Sequence, residues 1–152
     1  MSIAQKPHTV PEPRSSPSPV RSTDPRHVLG RLGEELAAAH FARLGFAILT
    51  RNARTRYGEI DMVAFDGAAL VFVEVKTCRA SARAIRLAST AHDPLERLRP
   101  RQQARVRRLA AAWLCERRPD RPLAREIRFD AVGVTVDAHD RLLRLDHLEA
   151  AW

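Results

Sequence analysis

The sequence predicts an α/β fold: a mixed sheet with a central β-hairpin, flanked by helices. Three patterns predict it. Leu29, Leu32, Leu36 and Ala39 recur at spacings of three and four, which is the stripe of an amphipathic helix. Two strand-like runs, Gly58 to Phe65 and Ala69 to Lys76, are joined by Asp66-Gly67, and an Asp-Gly pair between alternating runs is the strongest short-range hairpin signal. A second helical pattern separates that hairpin from further strand-like runs. Elements in this order bury their apolar faces in layers, helix on sheet on helix.

Residues 1–25 hold six of the ten prolines, with serine and threonine between them. Such a segment buries too little to offset its ordering entropy and is expected to be a disordered tail. A single domain is expected over 26–152. Its first helix runs from Arg26 to Leu44, where Gly45 suits the position just past a helix end. Phe46 to Thr50 reads as a strand and Arg51 to Arg56 as a polar loop. With Asp66 and Gly67 as the two turn residues, Asp61 lies opposite Phe72 and Glu59 opposite Glu74. Alternation then sends Glu59, Asp61, Phe72, Glu74 and Lys76 to one face and Ile60, Met62, Val71, Val73 and Val75 to the other. Arg79 to Arg99 reads as a mobile basic loop, and Pro100 opens the second helix, whose buried stripe is Val106, Leu109, Ala110, Trp113 and Leu114. Glu126 to Val136 and Arg141 to Leu145 are the last strands, divided by a turn at Asp137 to Asp140.

Composition narrows the function. A net charge of +8 in 152 residues favours polyanionic partners, nucleic acid first. No apolar run approaches the ~20 residues of a membrane helix, and residues 1–25 lack the apolar stretch expected of a secretory signal. Cys78 and Cys115 make neither a disulfide framework nor a metal-ligand set, so reduced thiols in a cytoplasmic protein are expected. The histidines show no ligand spacing and read as structural or solvent-facing.

Of 26 basic residues only Lys6 and Lys76 are lysine. Lys6 lies in the tail, so the folded part keeps one lysine, inside Val73-Glu74-Val75-Lys76. Lysine and arginine are not interchangeable, because an ammonium is a compact point charge with adjustable protonation. On the predicted register Asp61 and Glu74 are diagonal neighbours, close enough to share a ligand. Two carboxylates that close raise each other's pKa, and a hard divalent cation resolves the conflict. Asp61, Glu74 and the Val75 carbonyl would hold Mg²⁺ or Mn²⁺, while Lys76 would orient a metal-bound water and stabilise charge on a phosphate. A cross-strand salt bridge is the competing reading. On the first helix Glu34 shares the stripe of Ala38 and Phe41, whereas Glu35 sits one turn from Arg31, so Glu34 is the better candidate to complete the site.

These residues follow the helix-Glu, Asp, (Asp/Glu)-x-Lys order of the PD-(D/E)xK nuclease superfamily, with Holliday-junction resolvases nearest. Gly30-x-x-Gly33-Glu34-Glu35, Arg51-Asn52-x-Arg54, Gly58-Glu59-Ile60-Asp61, Val71 to Thr77 and Arg128-Phe129-Asp130 resemble the YraN-type family of small bacterial endonuclease-like proteins. The resemblance covers nearly all of 26–152. It implies a restriction-endonuclease-like core, catalytic roles for Glu34, Asp61, Glu74 and Lys76, and DNA in preference to RNA, on branched or damaged forms. Resolvase-like enzymes often work as dimers, which leaves room for a homodimer. Two departures stand out: Ile60 replaces the superfamily's proline, and Gln102, beside Arg101, occupies a place where relatives carry lysine. Gln102 contacts substrate or is a solvated helix position. Glu59, Gln102 and Asp130 are candidates for the outer ring of the site, an ion pair with Arg128 or Arg125 being equally open to Asp130. Arg54, Arg56, Arg79, Arg83 and Arg86 flank the hairpin in loops and could cradle a phosphate backbone. Arg101, Arg105 and Arg108 would extend that surface or form a solvated face. The alternative function is a non-catalytic nucleic-acid-binding protein that keeps the nuclease fold.

Overall fold

The computed structural model describes residues 24–81, 93–116 and 118–152. The predicted tail, but for its last two residues, lies outside them, as do Arg83, Arg86 and His92. Helix α1, Pro25–Arg43, starts where Asp24 accepts a hydrogen bond from the Arg26 N–H at 2.9 Å and Pro25 fixes the first turn. It stops at Gly45, whose φ of 88° suits the left-handed residue past a helix end. The strands are β1, Ala47–Thr55; β2, Gly58–Phe65; β3, Ala69–Arg79; β4, Glu126–Val136; and β5, Leu142–Leu148. A 3₁₀ turn, Pro94–Arg97, and helix α2, Pro100–Cys115, lie between β3 and β4.

The five strands pair in chain order, antiparallel except for β3 and β4. A parallel pair needs a long crossover, and the segment carrying α2 supplies it. β3 is therefore central and covered on both faces, which explains its unbroken Ala-Leu-Val-Phe-Val run. On one face Ala37, Ala38 and Phe41 of α1 pack on Met62, Ala64, Val71, Val73, Val132 and Val134. On the other, Leu109, Ala110 and Trp113 of α2 pack on Ile60, Val63, Leu70 and Phe72. Each fully buried Val, Leu or Phe contributes about 1.5–3 kcal/mol. The result is the expected restriction-endonuclease-like arrangement, a mixed sheet between two helices. Among the described residues no helix is long and apolar enough to cross a membrane.

Small residues set the helix-to-sheet distance. A Cβ on Gly33 would lie 1.7 Å from Thr77 Oγ1, so α1 rests directly on β3. A Cβ on Gly133 would lie 2.9 Å from side-chain atoms of both Pro94 and Leu95, so the 3₁₀ turn rests equally flat on β4. This close approach turns α1 so that its buried seam is Gly33, Ala37, Ala38 and Phe41, with Leu29, Leu32 and Leu36 at the margins and Ala39 exposed.

Three expectations are corrected. Arg51 to Thr55 is not loop but the outer half of β1, an edge strand with an irregularity between Ile48 and Thr50 and a left-handed Asn52 at φ 50°. The tight turn of the central hairpin is Gly67-Ala68, because the Asp66 carboxylate accepts hydrogen bonds from the Ala68 and Ala69 N–H groups at 2.9 and 2.7 Å. The ladder consequently pairs Phe65 with Leu70 and Val63 with Phe72, so Asp61 is not opposite Phe72. Finally, Ile60 packs with Val63 on the α2 face, not with Met62.

Candidate active site

The shifted register brings Asp61 level with Glu74, one step beyond the last ladder pair, Met62 with Val73. Here β2 and β3 diverge. Ile60 and Met62 point to opposite faces, so strand alternation breaks at the residue between them. Asp61 is the residue at the break. Its Oδ2 accepts a hydrogen bond from the Val75 N–H at 2.8 Å, doing for β3 what a strand partner would have done. In a strand the N–H and C=O of one residue leave by the same edge, so the Val75 carbonyl also faces this gap.

Asp61, Glu74, Val75 and Lys76 open onto a cleft of about 700 Å³, walled by Arg26, Leu29, Gly30 and Glu34 of α1 and by Arg105 of α2. Glu74 is 3% exposed, and the Lys76 ammonium donates a hydrogen bond to its Oε1. Glu34 is half-buried and its Oε2, withdrawn from solvent, has no hydrogen-bond partner. It reaches the cleft because Gly33 seats α1 on Thr77, itself a wall residue. All four residues expected to act together do meet.

Burial pushes the Asp61 carboxyl up to about 7; the charge of Glu74 and, more weakly, of Glu34 push the same way, against the Val75 N–H and Lys76. Three carboxylates thus share a cleft with the Lys76 ammonium and the Arg26 and Arg105 guanidiniums. Hard oxygen donors gathered in this way suit a divalent cation, and the orphaned Glu34 oxygen adds to them. Among the described residues no three acidic, histidine or cysteine side chains are gathered tightly enough to enclose an ion alone. An ion held by Asp61, Glu74 and the Val75 carbonyl would keep open positions for water and phosphate, as Mg²⁺ does.

The basic residues divide. Arg105 belongs to the cleft and its Nη2 lies 3.3 Å from the Cβ position of Gly58. Arg101 is exposed at the start of α2. Arg56 and Arg108 both lie over the Tyr57 ring, at 4.7 and 5.2 Å. Arg54 pairs with Glu59 at 2.9 Å, so Glu59 is committed outside the cleft. Arg79 pairs with Asp140. Gln102 is half-buried, with its Oε1 lacking a partner, yet it does not wall the cleft. Arg26, Gly30 and Thr77 were not anticipated as wall residues; the Gly30-x-x-Gly33 spacing was the available signal.

Asp130 lies elsewhere. It is fully buried on the α1 side of the sheet, where Arg128 grips both its oxygens at 2.9 Å, His147 Nε2 sits 2.9 Å from Oδ2 and the Ala150 N–H donates at 3.1 Å. His147 Nδ1 is in turn 3.2 Å from His40 Nε2. Burial alone would raise the Asp130 carboxyl, but the bonds from His147 and Arg128 outweigh it and hold the group below the usual carboxylate range. Of the two pairings open to Asp130, the one with Arg128 forms.

The sequence pattern of the uncharacterised protein family UPF0102 matches residues 33–134, two-thirds of the chain. A UPF0102 protein of Acidothermus cellulolyticus is 46% identical over 116 residues, covering 72% of this chain and 82% of its own length. One from Frankia alni is 45% identical over 127 residues, covering 84% and 96%. One from Anaeromyxobacter dehalogenans is 42% identical over 129 residues, covering 85% and 87%. The span from Gly33 to Val134 takes in Glu34, Asp61, Glu74, Lys76 and Asp130, and on that match the chain belongs to the UPF0102 family, the YraN-type group its motifs resemble.

Proposed function

We propose that this protein is an endonuclease, dependent on Mg²⁺ or Mn²⁺, that hydrolyses phosphodiester bonds in DNA, with branched or damaged DNA as its preferred form. The observation that carries the reading is the meeting of Asp61, Glu74 and Lys76 in one cleft, with Glu34 beside them and Arg26 and Arg105 in its walls. Asp61, Glu74 and the Val75 carbonyl would hold the ion, which supplies a polarised phosphoryl oxygen and a more acidic bound water.

The chain's own residues do the rest. Glu74 anchors the Lys76 ammonium on one side, and its remaining N–H donors are free to meet the non-bridging oxygens where charge grows during attack. Glu34 would accept a hydrogen bond from the attacking water through the oxygen that now lacks a partner. Arg26 and Arg105 would neutralise flanking phosphates, contacts that fix position without reading sequence.

The test is cleavage of labelled single-stranded, duplex, flapped and four-way-junction DNA, and of RNA, by wild type and Lys76→Ala in Mg²⁺, Mn²⁺ or EDTA. Metal-dependent cutting of DNA that vanishes in the variant is the expected result. Retarded bands with no cutting in any metal would overturn it in favour of a binding protein that keeps the nuclease fold. That second reading draws on the pairing of Lys76 with Glu74 and of Asp61 with Val75, contacts that hold the site together without substrate.

A further inference from the structure

Tyr57 is the one Phe, Tyr or Trp among the described residues that is exposed, at 43%. It stands at the tip of the β1–β2 hairpin, held by the Tyr57 N–H donating to Thr55 Oγ1 at 3.1 Å and by Thr55 Oγ1 donating to the Gly58 carbonyl at 3.0 Å. Two guanidinium groups lie over the ring: Arg56 from its own turn and Arg108 from α2. The neighbouring arginine one helical turn back, Arg105, walls the cleft and lies where a side chain on Gly58 would point. An aromatic face at the end of a track of positive charge that leads into the cleft has no role in the core.

Resting on the endonuclease reading, we propose that Tyr57, with Arg56 and Arg108, is a stacking platform for an unpaired nucleobase next to the scissile phosphate. Every base has a π-face, and aromatic rings and guanidinium planes both accept it; the surrounding charge holds the strand that carries it. Tyr57 lies four residues along the hairpin from Asp61, roughly 13 Å at the strand rise. Within a duplex both faces of a base are covered by its stacked neighbours, so a strand with a phosphate in the cleft can lay a base on the ring only if that base is out of its duplex. The platform selects DNA with single-stranded character at the cut: a flap, a fork or a junction arm, in preference to a blunt duplex.

The test is fluorescence anisotropy with labelled single-stranded, flapped and blunt duplex DNA in EDTA, using the full chain as wild type, Tyr57→Ala, Tyr57→Phe and Lys76→Ala. Tyr57→Ala should weaken the single-stranded and flapped probes by roughly 5- to 150-fold, the range for loss of one stacked base. The blunt duplex should change less than about twofold, since its bases stay paired. Tyr57→Phe should bind as wild type, and thermal melting should show all three variants folded. Equal loss on all three probes, or none on any, would overturn the platform. The two readings fail separately: cleavage without a Tyr57→Ala effect removes the platform alone, whereas selective Tyr57-dependent binding without cleavage removes the nuclease alone.

Discussion

Asp61 and Asp130 are two aspartates drawn into one sheet from opposite sides of β3, and their surroundings shift their carboxyls in opposite directions. Asp130 is completely buried, yet Arg128, His147 and the Ala150 N–H satisfy it and its carboxyl titrates low. Asp61 accepts a hydrogen bond from the Val75 N–H, but burial and the charges of Glu74 and Glu34 outweigh it, and its carboxyl is raised to about 7. Burial is the largest single influence on both carboxyls and pushes both upward. Depth sets the desolvation penalty; the partners decide whether it is met inside the protein or left for a ligand to meet. A compensated carboxylate is a structural fastener, and an uncompensated one in a cleft is a binding site in waiting.

Breaking the fastener should have the largest effect. Asp130→Ala leaves the Arg128 guanidinium and His147 buried without their anion, and chemical denaturation should show a loss of about 3–5 kcal/mol. Asp61→Ala, by contrast, should leave stability without metal nearly unchanged or improved. A loss of the Asp130 size there would erase the distinction.

Metal sharpens the comparison from the other side. Mg²⁺ or Mn²⁺ at about a hundredfold excess over its Kd should stabilise wild type by about 2.7 kcal/mol, read as a rise in Tm. Asp61→Ala should abolish the rise, while Asp130→Asn should keep it from a lower starting point. A rise that survives Asp61→Ala would place the ion elsewhere.

The smallest effect is in pH. Because the folded Asp61 carboxyl titrates near 7 against an ordinary value of 3.8, the folded state holds the extra proton between those limits. Its stabilising contribution is complete below pH 4 and is lost as pH rises through 7. Asp130 runs the opposite way: its contribution is present above its ordinary value and is lost on acidification. Asp61→Asn should remove about 1–2 kcal/mol of the decline between pH 5 and 8 in metal-free denaturation curves. An unchanged slope would mean that Asp61 is ionised at low cost.

Much of this was legible in the sequence because the elements are strongly patterned. Both helices and the central hairpin follow from periodicity and Asp66-Gly67. Glu34, Glu74 and Lys76 were readable from the helix stripe and the alternation of β3, and Asp61 from its place on the neighbouring strand. What escaped depends on interactions that spacing does not encode. The turn moved by one residue because the Asp66 side chain holds two backbone N–H groups. Arg51 to Thr55 hid as a loop because an edge strand need not alternate apolar residues when one side is wet. The swing of Asp61 between the two faces arises where β2 and β3 part, a tertiary event. His147 could not be matched to Asp130 before β5 was laid beside β4.

Gly33 and Gly133 give the fold a feature that mutational scanning would misread. Each stands where an added methyl group meets a packed neighbour, Thr77 on one side of the β3–β4 pair and Pro94 with Leu95 on the other. Gly133 is the ladder partner of Lys76, and Thr77 is its next neighbour in the chain. In a saturation library both glycines would tolerate almost nothing, and they would cluster with Lys76 on any map of intolerance. That map would overstate the site, because these two glycines do no more than leave room for the helix on β3 and the turn on β4.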